Sequence, residues 1–161
     1  MNSLVIYASH FGNTKRIGEA IAMGLRTRGT VTSLSADEAS SRLPPEIDLV
    51  LIGGPTEQHG MTQILRRFLD ELAPGALQDI SVAAFDTRLR WPQWLSGSAA
   101  IGITEKLREA GAHVIAPPES FFIKGILGTG GRNTAELDFG ELDRATAWAK
   151  GIADTATRRS A

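Results

Sequence analysis

The sequence predicts an α/β protein in which five mainly parallel strands, ordered 2-1-3-4-5, lie between two helical layers. Three observations lead there. Short apolar runs alternate with longer amphipathic stretches from end to end, the pattern of successive βαβ units. Most of those runs are apolar at nearly every position, as strands covered on both faces require. The run Val31-Thr32-Ser33-Leu34 is more polar and belongs at an edge, which leaves strands 1, 3 and 4 at the centre. The 161 residues fit one domain spanning 1–161, with no internal repeat, low-complexity tract or linker.

The first strand occupies residues 4–8 and stops at the polar, glycine-bearing stretch Ser9-His10-Phe11-Gly12-Asn13-Thr14. From Thr14 onward, Ile17, Ala20, Ile21, Gly24 and Leu25 trace one helix face with period 3.6. Strand 2 covers residues 31–34. Pro44-Pro45 breaks the chain before strand 3 at residues 48–52, which ends at Gly53-Gly54-Pro55. Met61, Ile64, Leu65, Phe68, Leu69 and Leu72 form the cleanest helical stripe, terminated by Pro74-Gly75. Residues 80–85 read as strand 4, and Ala100, Ile103, Leu107 and Ala110 mark the helix after it. His113-Val114-Ile115 and Phe121-Phe122-Ile123 flank Pro117-Pro118, so the fifth strand is one element with a break or bulge. Leu142, Ala145, Ala149 and Ile152 belong to a last helix.

Composition narrows the function. Lys and Arg total 17 against 18 Asp and Glu, a net charge of −1, so no single-sign field recommends nucleic acid or an anionic membrane. Cysteine is absent, which removes disulfides, thiolate metal sites, ordinary iron–sulfur ligation and thiol catalysis. A redox role therefore needs an organic cofactor, or a metal held by oxygen and nitrogen. No apolar run approaches the ~20 residues of a membrane span. The amino terminus enters its first apolar run without a basic preamble or a cleavage site, so a cytoplasmic location is expected.

Polar and glycine residues gather after strands 1, 3 and 4, whose loops all open on one edge of a parallel sheet. Ser9 to Thr14 offers two hydroxyls, the Asn13 amide and the backbone N–H groups of a helix start. Such a stretch serves either as a plain N-cap or as a seat for a phosphate. Dinucleotide and P-loop chemistry are not supported, since the first turn lacks Gly-x-Gly-x-x-Gly and no Gly-x-x-x-x-Gly-Lys-Ser/Thr occurs. A phosphoacceptor receiver would need an acidic pair after strand 1 and an aspartate ending strand 3, where Ser9-His10 and Gly53-Gly54 stand.

Residues 4–14, a strand followed by hydroxyl-x-x-Gly-Asn-Thr and a helix, resemble the flavodoxin signature. Residues 49–56, Leu-Val-Leu-Ile-Gly-Gly-Pro-Thr, are similar to that family's third strand and the loop after it. Phe85-Asp86-Thr87-Arg88 and residues 95–100 resemble the fourth-strand loop and helix of bacterial flavodoxin-domain proteins, and residues 140–149 their last helix. The resemblance covers essentially the whole chain and implies a flavodoxin-like αβα sandwich that binds FMN. It implies that Ser9, His10, Phe11, Gly12, Asn13 and Thr14 wrap the phosphate. By the same carry-over, Pro55, Thr56, Glu57, Gln58, His59 and Gly60 line one side of the isoalloxazine ring, and Asp86, Thr87, Arg88 and Trp91 the other.

Individual roles keep two readings. In the family, a glycine-containing peptide of the second loop turns its carbonyl toward flavin N5, a role open to Gly60; a plain turn glycine is the alternative. Arg88 either faces the pyrimidine end of a reduced flavin or is a solvated loop arginine. Trp91 and Trp94 are the natural stacking surfaces, with Trp94 the one expected to pack on the helix instead. Flavodoxins commonly place a tyrosine in this loop, whereas the only tyrosine here is Tyr7. His10 and His59 with Asp86 or Glu57 are the sole candidate metal set, and they lack metal-ligand spacing on one helix, so no metal is expected.

The resulting expectation is an FMN-dependent electron-transfer protein that meets a redox partner protein or a small-molecule electron donor or acceptor. Diffusing flavodoxins are usually strongly acidic, so the charge of −1 leaves room for an FMN-dependent NAD(P)H oxidoreductase acting on quinones or porphyrinogens. A module that kept the fold and lost the flavin is the reading of another class.

Overall fold

The apolar runs become the strands of one sheet, and their alternating side chains fill two separate cores. In the computed structural model, which describes residues 1–125 and 135–160, the elements run β1 (Asn2–Tyr7), α1 (Asn13–Leu25), a 3-10 turn (Arg26–Arg28), β2 (Thr30–Ser35), β3 (Leu49–Pro55) and α2 (Gln63–Asp70). They continue with β4 (Ser81–Leu89), α3 (Gln93–Ser96), α4 (Ala99–Glu109), β5 (His113–Val114), β6 (Glu119–Lys124), β7 (Glu136–Leu137) and α5 (Glu141–Ser160).

Strand order is β2-β1-β3-β4-β6-β7, with β5 also paired to β4. The register aligns Leu4 with Val50, Ile6 with Ile52 and Leu51 with Ala83, so the three central strands stack buried residues side by side. Val5, Leu49, Leu51, Ala83, Phe85 and Phe121 face α1 and α5. Leu4, Ile6, Val50, Ile52, Val82 and Ala84 face α2 and α4. This period-two division between two buried faces is why the strands read as unbroken apolar runs.

The polar β2 lies at the edge beside β1, as its composition predicts. β5 and β6 are the two halves of the expected fifth strand. Both pair in parallel with β4, and the prolines between them cannot donate to the ladder. Two differences matter. β7, which no apolar run announces, adds two antiparallel residues outside β6. β4 runs four residues past its expected end, because β6 offers Glu119 to Ile123 as partners for Phe85 to Leu89. Asp86, Thr87 and Arg88 thus belong to a strand rather than to the loop after it. No helix among the described residues is long and apolar enough to cross a membrane.

Candidate functional site

The carboxyl ends of β1, β3 and β4 bring three polar segments to one edge of the sheet, and each is held by contacts that local sequence does not announce. In the first segment, Ser9 Oγ accepts hydrogen bonds from the N–H groups of Gly12 (3.1 Å) and Lys15 (3.3 Å). Gly12 is the residue before α1 and adopts a left-handed φ of 87°, and its carbonyl takes the Arg16 N–H. The N–H groups of His10, Phe11, Asn13 and Thr14 make no hydrogen bond among the described residues. The first turn of α1 carries no acidic side chain, so its positive end is uncompensated within the helix. Ser9 fills the capping role, while the remaining amides stay available for an anion.

Thr14 Oγ1 lies 2.7 Å from Thr87 Oγ1, and both residues are buried. This pair joins the first segment to the end of β4. Asn13 Nδ2 donates to the Ala135 carbonyl at 2.7 Å, which ties the start of α1 to the segment leading into β7.

The second segment is a tight turn. Glu57 and Gly60 exchange backbone hydrogen bonds of 2.9 Å in both directions, with Gln58 (φ 46°) and His59 (φ 71°) between them. Two successive left-handed residues define the type I′ arrangement, which favours glycine or asparagine at both places. Here both carry longer side chains, a strained condition that persists only where the surroundings enforce it. They do so from both sides: His10 Nε2 sits 3.3 Å from Glu57 Oε1, and His59 forms a backbone bridge to Gly97. Gly60 is not among the positive-φ residues, so the demand for unusual backbone falls on Gln58 and His59 and not on the glycine.

In the third segment Arg88 is anything but a solvated arginine. Its Nε donates to Ser120 Oγ at 3.0 Å, and Nη1 donates to the Trp91 carbonyl at 2.8 Å and to Ser96 Oγ at 3.0 Å. The guanidinium thereby fixes where Trp91 and α3 stand. Nearby, Arg90 pairs with Asp138 at 3.2 Å and lies over the Phe122 ring at 4.3 Å. The Phe139 N–H, and then Arg90, hold the Asp138 carboxyl below its ordinary range. That tie is complete above the ordinary carboxylate range and is lost as the pH falls through the lowered value.

Between the three segments lies a cleft of about 350 Å³, within the ~300–1,000 Å³ of small-molecule sites. Every residue expected at the site lines it except Gly12, Gly60 and Asp86. Gly12 shapes the loop from behind, and Gly60 opens onto a neighbouring groove beside α4. Asp86, expected against the ring, points away from it and is fully buried. Sequence reasoning missed Leu89, Leu95, Ser96, Ile123, Gly125 and Ala135 on the cleft wall. Ile123 and Leu89 owe their places to the β4–β6 pairing, which no local pattern signals. Trp91 lines the cleft and is 48% exposed, whereas Trp94 is 84% exposed and lacks the packing role expected of it. Among the described residues no three His, Asp or Glu side chains converge on a metal position. His10 is engaged with Glu57, and Asp86 lies in a different layer.

The loop whose amides are unbonded among the described residues, together with Thr14, suits a phosphate, and the cleft beyond it, walled by the 57–60 turn and by Trp91, suits a flat ring system. The match with known proteins follows the same lines. Residues 4–90, more than half of the chain, match the family model described as the flavodoxin domain. An archaeal flavodoxin structure superposes with a TM-score of 0.78 at 24% identity, covering 98% of this chain and 99% of that one. Oxidised flavodoxin 1 from Bacillus cereus gives 0.75 at 19% identity, covering 96% and 98%. The rubredoxin oxygen:oxidoreductase of Desulfovibrio gigas gives 0.74 at 16% identity, with 99% of this chain matching 37% of that larger one. No curated protein sequence gives a significant match. At these identities the solved structures establish the fold, and the family model establishes the kinship: the chain belongs to the flavodoxin-domain family.

Proposed function

We propose that the protein binds FMN in this cleft and transfers electrons through it. The observation that carries the reading is the set of amides at His10, Phe11, Asn13 and Thr14 that make no hydrogen bond among the described residues, at the positive end of a helix and opening on a cleft large enough for the rest of the ligand. The residues fit the group. Those amides and Thr14 would hold the phosphate without a basic side chain, since several hydrogen bonds and the helix end suffice for a dianion. The 57–60 turn would cover one side of the ring, and Trp91, positioned by Arg88, the other. Bound there, the flavin supplies one- or two-electron chemistry. A module that had lost the flavin would have no evident use for this loop.

The test is an absorption spectrum of the purified protein with and without FMN, followed by anaerobic reduction. Flavin bands near ~375 and ~450 nm with a perturbed shape support the reading. An FMN spectrum unchanged by the protein overturns it. Thr14→Val is expected to weaken FMN binding by ~1.5–3 kcal/mol, the range of a charge-assisted hydrogen bond, in a fluorescence titration. Riboflavin, which has no phosphate, should bind the variant and the parent alike. Equal losses for both ligands would remove Thr14 from the phosphate site.

A second reading, an FMN-dependent oxidoreductase serving quinones or porphyrinogens, draws support from the mouth of the cleft. Phe11, Trp91 and Leu95 are 65%, 48% and 45% exposed there, and Glu57, the one acidic side chain lining it among the described residues, is engaged by His10. Such a rim favours a flat apolar reactant over a basic protein surface. Direct reduction of the bound flavin by NAD(P)H, with turnover on adding a quinone, supports this reading; reduction only through a protein donor supports the carrier.

A further inference from the structure

Asp86 does not reach the cleft, yet the segment that walls it is tied to this carboxylate. Asp86 is completely buried, and its Oδ2 accepts three hydrogen bonds: from Thr56 Oγ1 at 3.0 Å, Ser98 Oγ at 2.6 Å and the Ala100 N–H at 3.0 Å. Thr56 Oγ1 itself accepts from the Ala99 N–H at 2.9 Å. The first turn of α4 has no acidic residue, so a carboxylate from β4 supplies the negative charge that the helix start favours. Several donors on one buried charged oxygen form a rigid node.

That node holds the strained turn at its start and, by way of Gly97, at His59. Thr56 immediately precedes Glu57, and Ser98 immediately follows Gly97, the residue bridged to His59. The left-handed backbone at Gln58 and His59 needs such over-determination to persist. We propose that Asp86 is the positioning residue of the ring-binding wall: through Thr56 and Ser98 it locks the 57–60 turn to the start of α4 and sets flavin affinity without touching the flavin. The inference rests on the FMN reading.

FMN and riboflavin titrations of the whole protein, with thermal unfolding of each variant, provide the test. Asp86→Asn places an NH2 group or a weaker acceptor on a carboxyl whose second oxygen, Oδ1, is buried with no hydrogen-bond partner among the described residues. It is expected to lower affinity for FMN and for riboflavin alike by about tenfold, because the misplaced part holds the ring that both share. Thr56→Val keeps Asp86 and the Ser98 cap of α4 but breaks the link and leaves the buried Ala99 N–H without its acceptor; it should reproduce most of that affinity loss for both ligands, with a fall in unfolding temperature as well. Thr56→Ser should restore it. If the parent binds FMN and Thr56→Val binds both ligands unchanged, the inference falls and the FMN reading stands. If Asp86→Asn lowers only the unfolding temperature, its role is structural and the inference again falls. If the parent binds neither ligand, both fall, and the failure lies in the FMN reading.

Discussion

A Gly97→Ala protein is expected to lose flavin affinity by about two orders of magnitude and folding stability by ~2–4 kcal/mol, as overpacking against backbone adds to left-handed strain. Gly97 has φ +69°, and a Cβ built on it would stand 2.1 Å from the His59 carbonyl oxygen and 2.5 Å from its carbon. Those are backbone atoms, so no side chain can swing away. Either the 57–60 turn retreats or the corner between α3 and α4 does, and both form the cleft. Gly111 provides the control. It has φ +78° at the far end of α4, and a methyl group added there would meet nothing within 4 Å. Gly111→Ala should cost about 1 kcal/mol from left-handed strain alone and leave FMN titrations unchanged. Equal affinity losses in the two variants would mean that the His59–Gly97 contact does not shape the site.

What the sequence conveys here is mostly what one element can say about itself. The run at residues 4–8, its polar stop and the stripe from Ile17 to Leu25 are self-contained signals, and β1, the following loop and α1 lie where they indicate. The polarity of Val31-Thr32-Ser33-Leu34 likewise locates an edge. Properties created by a distant partner are not legible in this way. Asp86-Thr87-Arg88 looks like a loop until β6 pairs with it, more than thirty residues on. The burial of Asp86 depends on Thr56 and Ser98, and the anchoring of Arg88 on Ser120 and Ser96. Gln58 and His59 are poor candidates for left-handed backbone by propensity, so attention falls on Gly60, which does not need it. Trp94 shows the same limit in reverse: its size suggests packing, and its position on the short α3 leaves it at the surface.

The largest effect on folding is expected from Gly53→Ala, although the substitution is chemically slight. Gly53 is the cross-strand neighbour of Phe85 in the centre of the sheet, and the Phe85 ring lies over it. A Cβ at Gly53 would meet Cδ2 and Cε2 of that ring at 2.4 Å and Cζ at 2.5 Å. The ring is fully buried and meets Phe121 and Trp148 edge-on, at 6.3 and 6.4 Å between centroids, so it has no free direction in which to move. Overpacking of this kind costs ~3 kcal/mol or more. In a chain of this length that lowers the unfolding midpoint by roughly 6–12 °C. The adjacent Gly54 separates the ring's contribution from that of the sheet. A Cβ there would meet Leu65 Cδ1 at 2.3 Å, a single methyl group of a buried side chain, with its other neighbours at 3.4 Å or more, so a smaller shift relieves it than the three ring atoms at Gly53 require. Gly54→Ala should therefore cost about 1 kcal/mol, near the lower end for a tight core. Phe85→Leu in the Gly53→Ala background should recover part of the loss, a coupling that denaturant unfolding of the four-protein cycle measures directly. Equal losses at the two glycines with no coupling to Phe85 would place the strain in the strand ladder, and the close packing of ring on glycine would no longer explain why β3 carries Gly53.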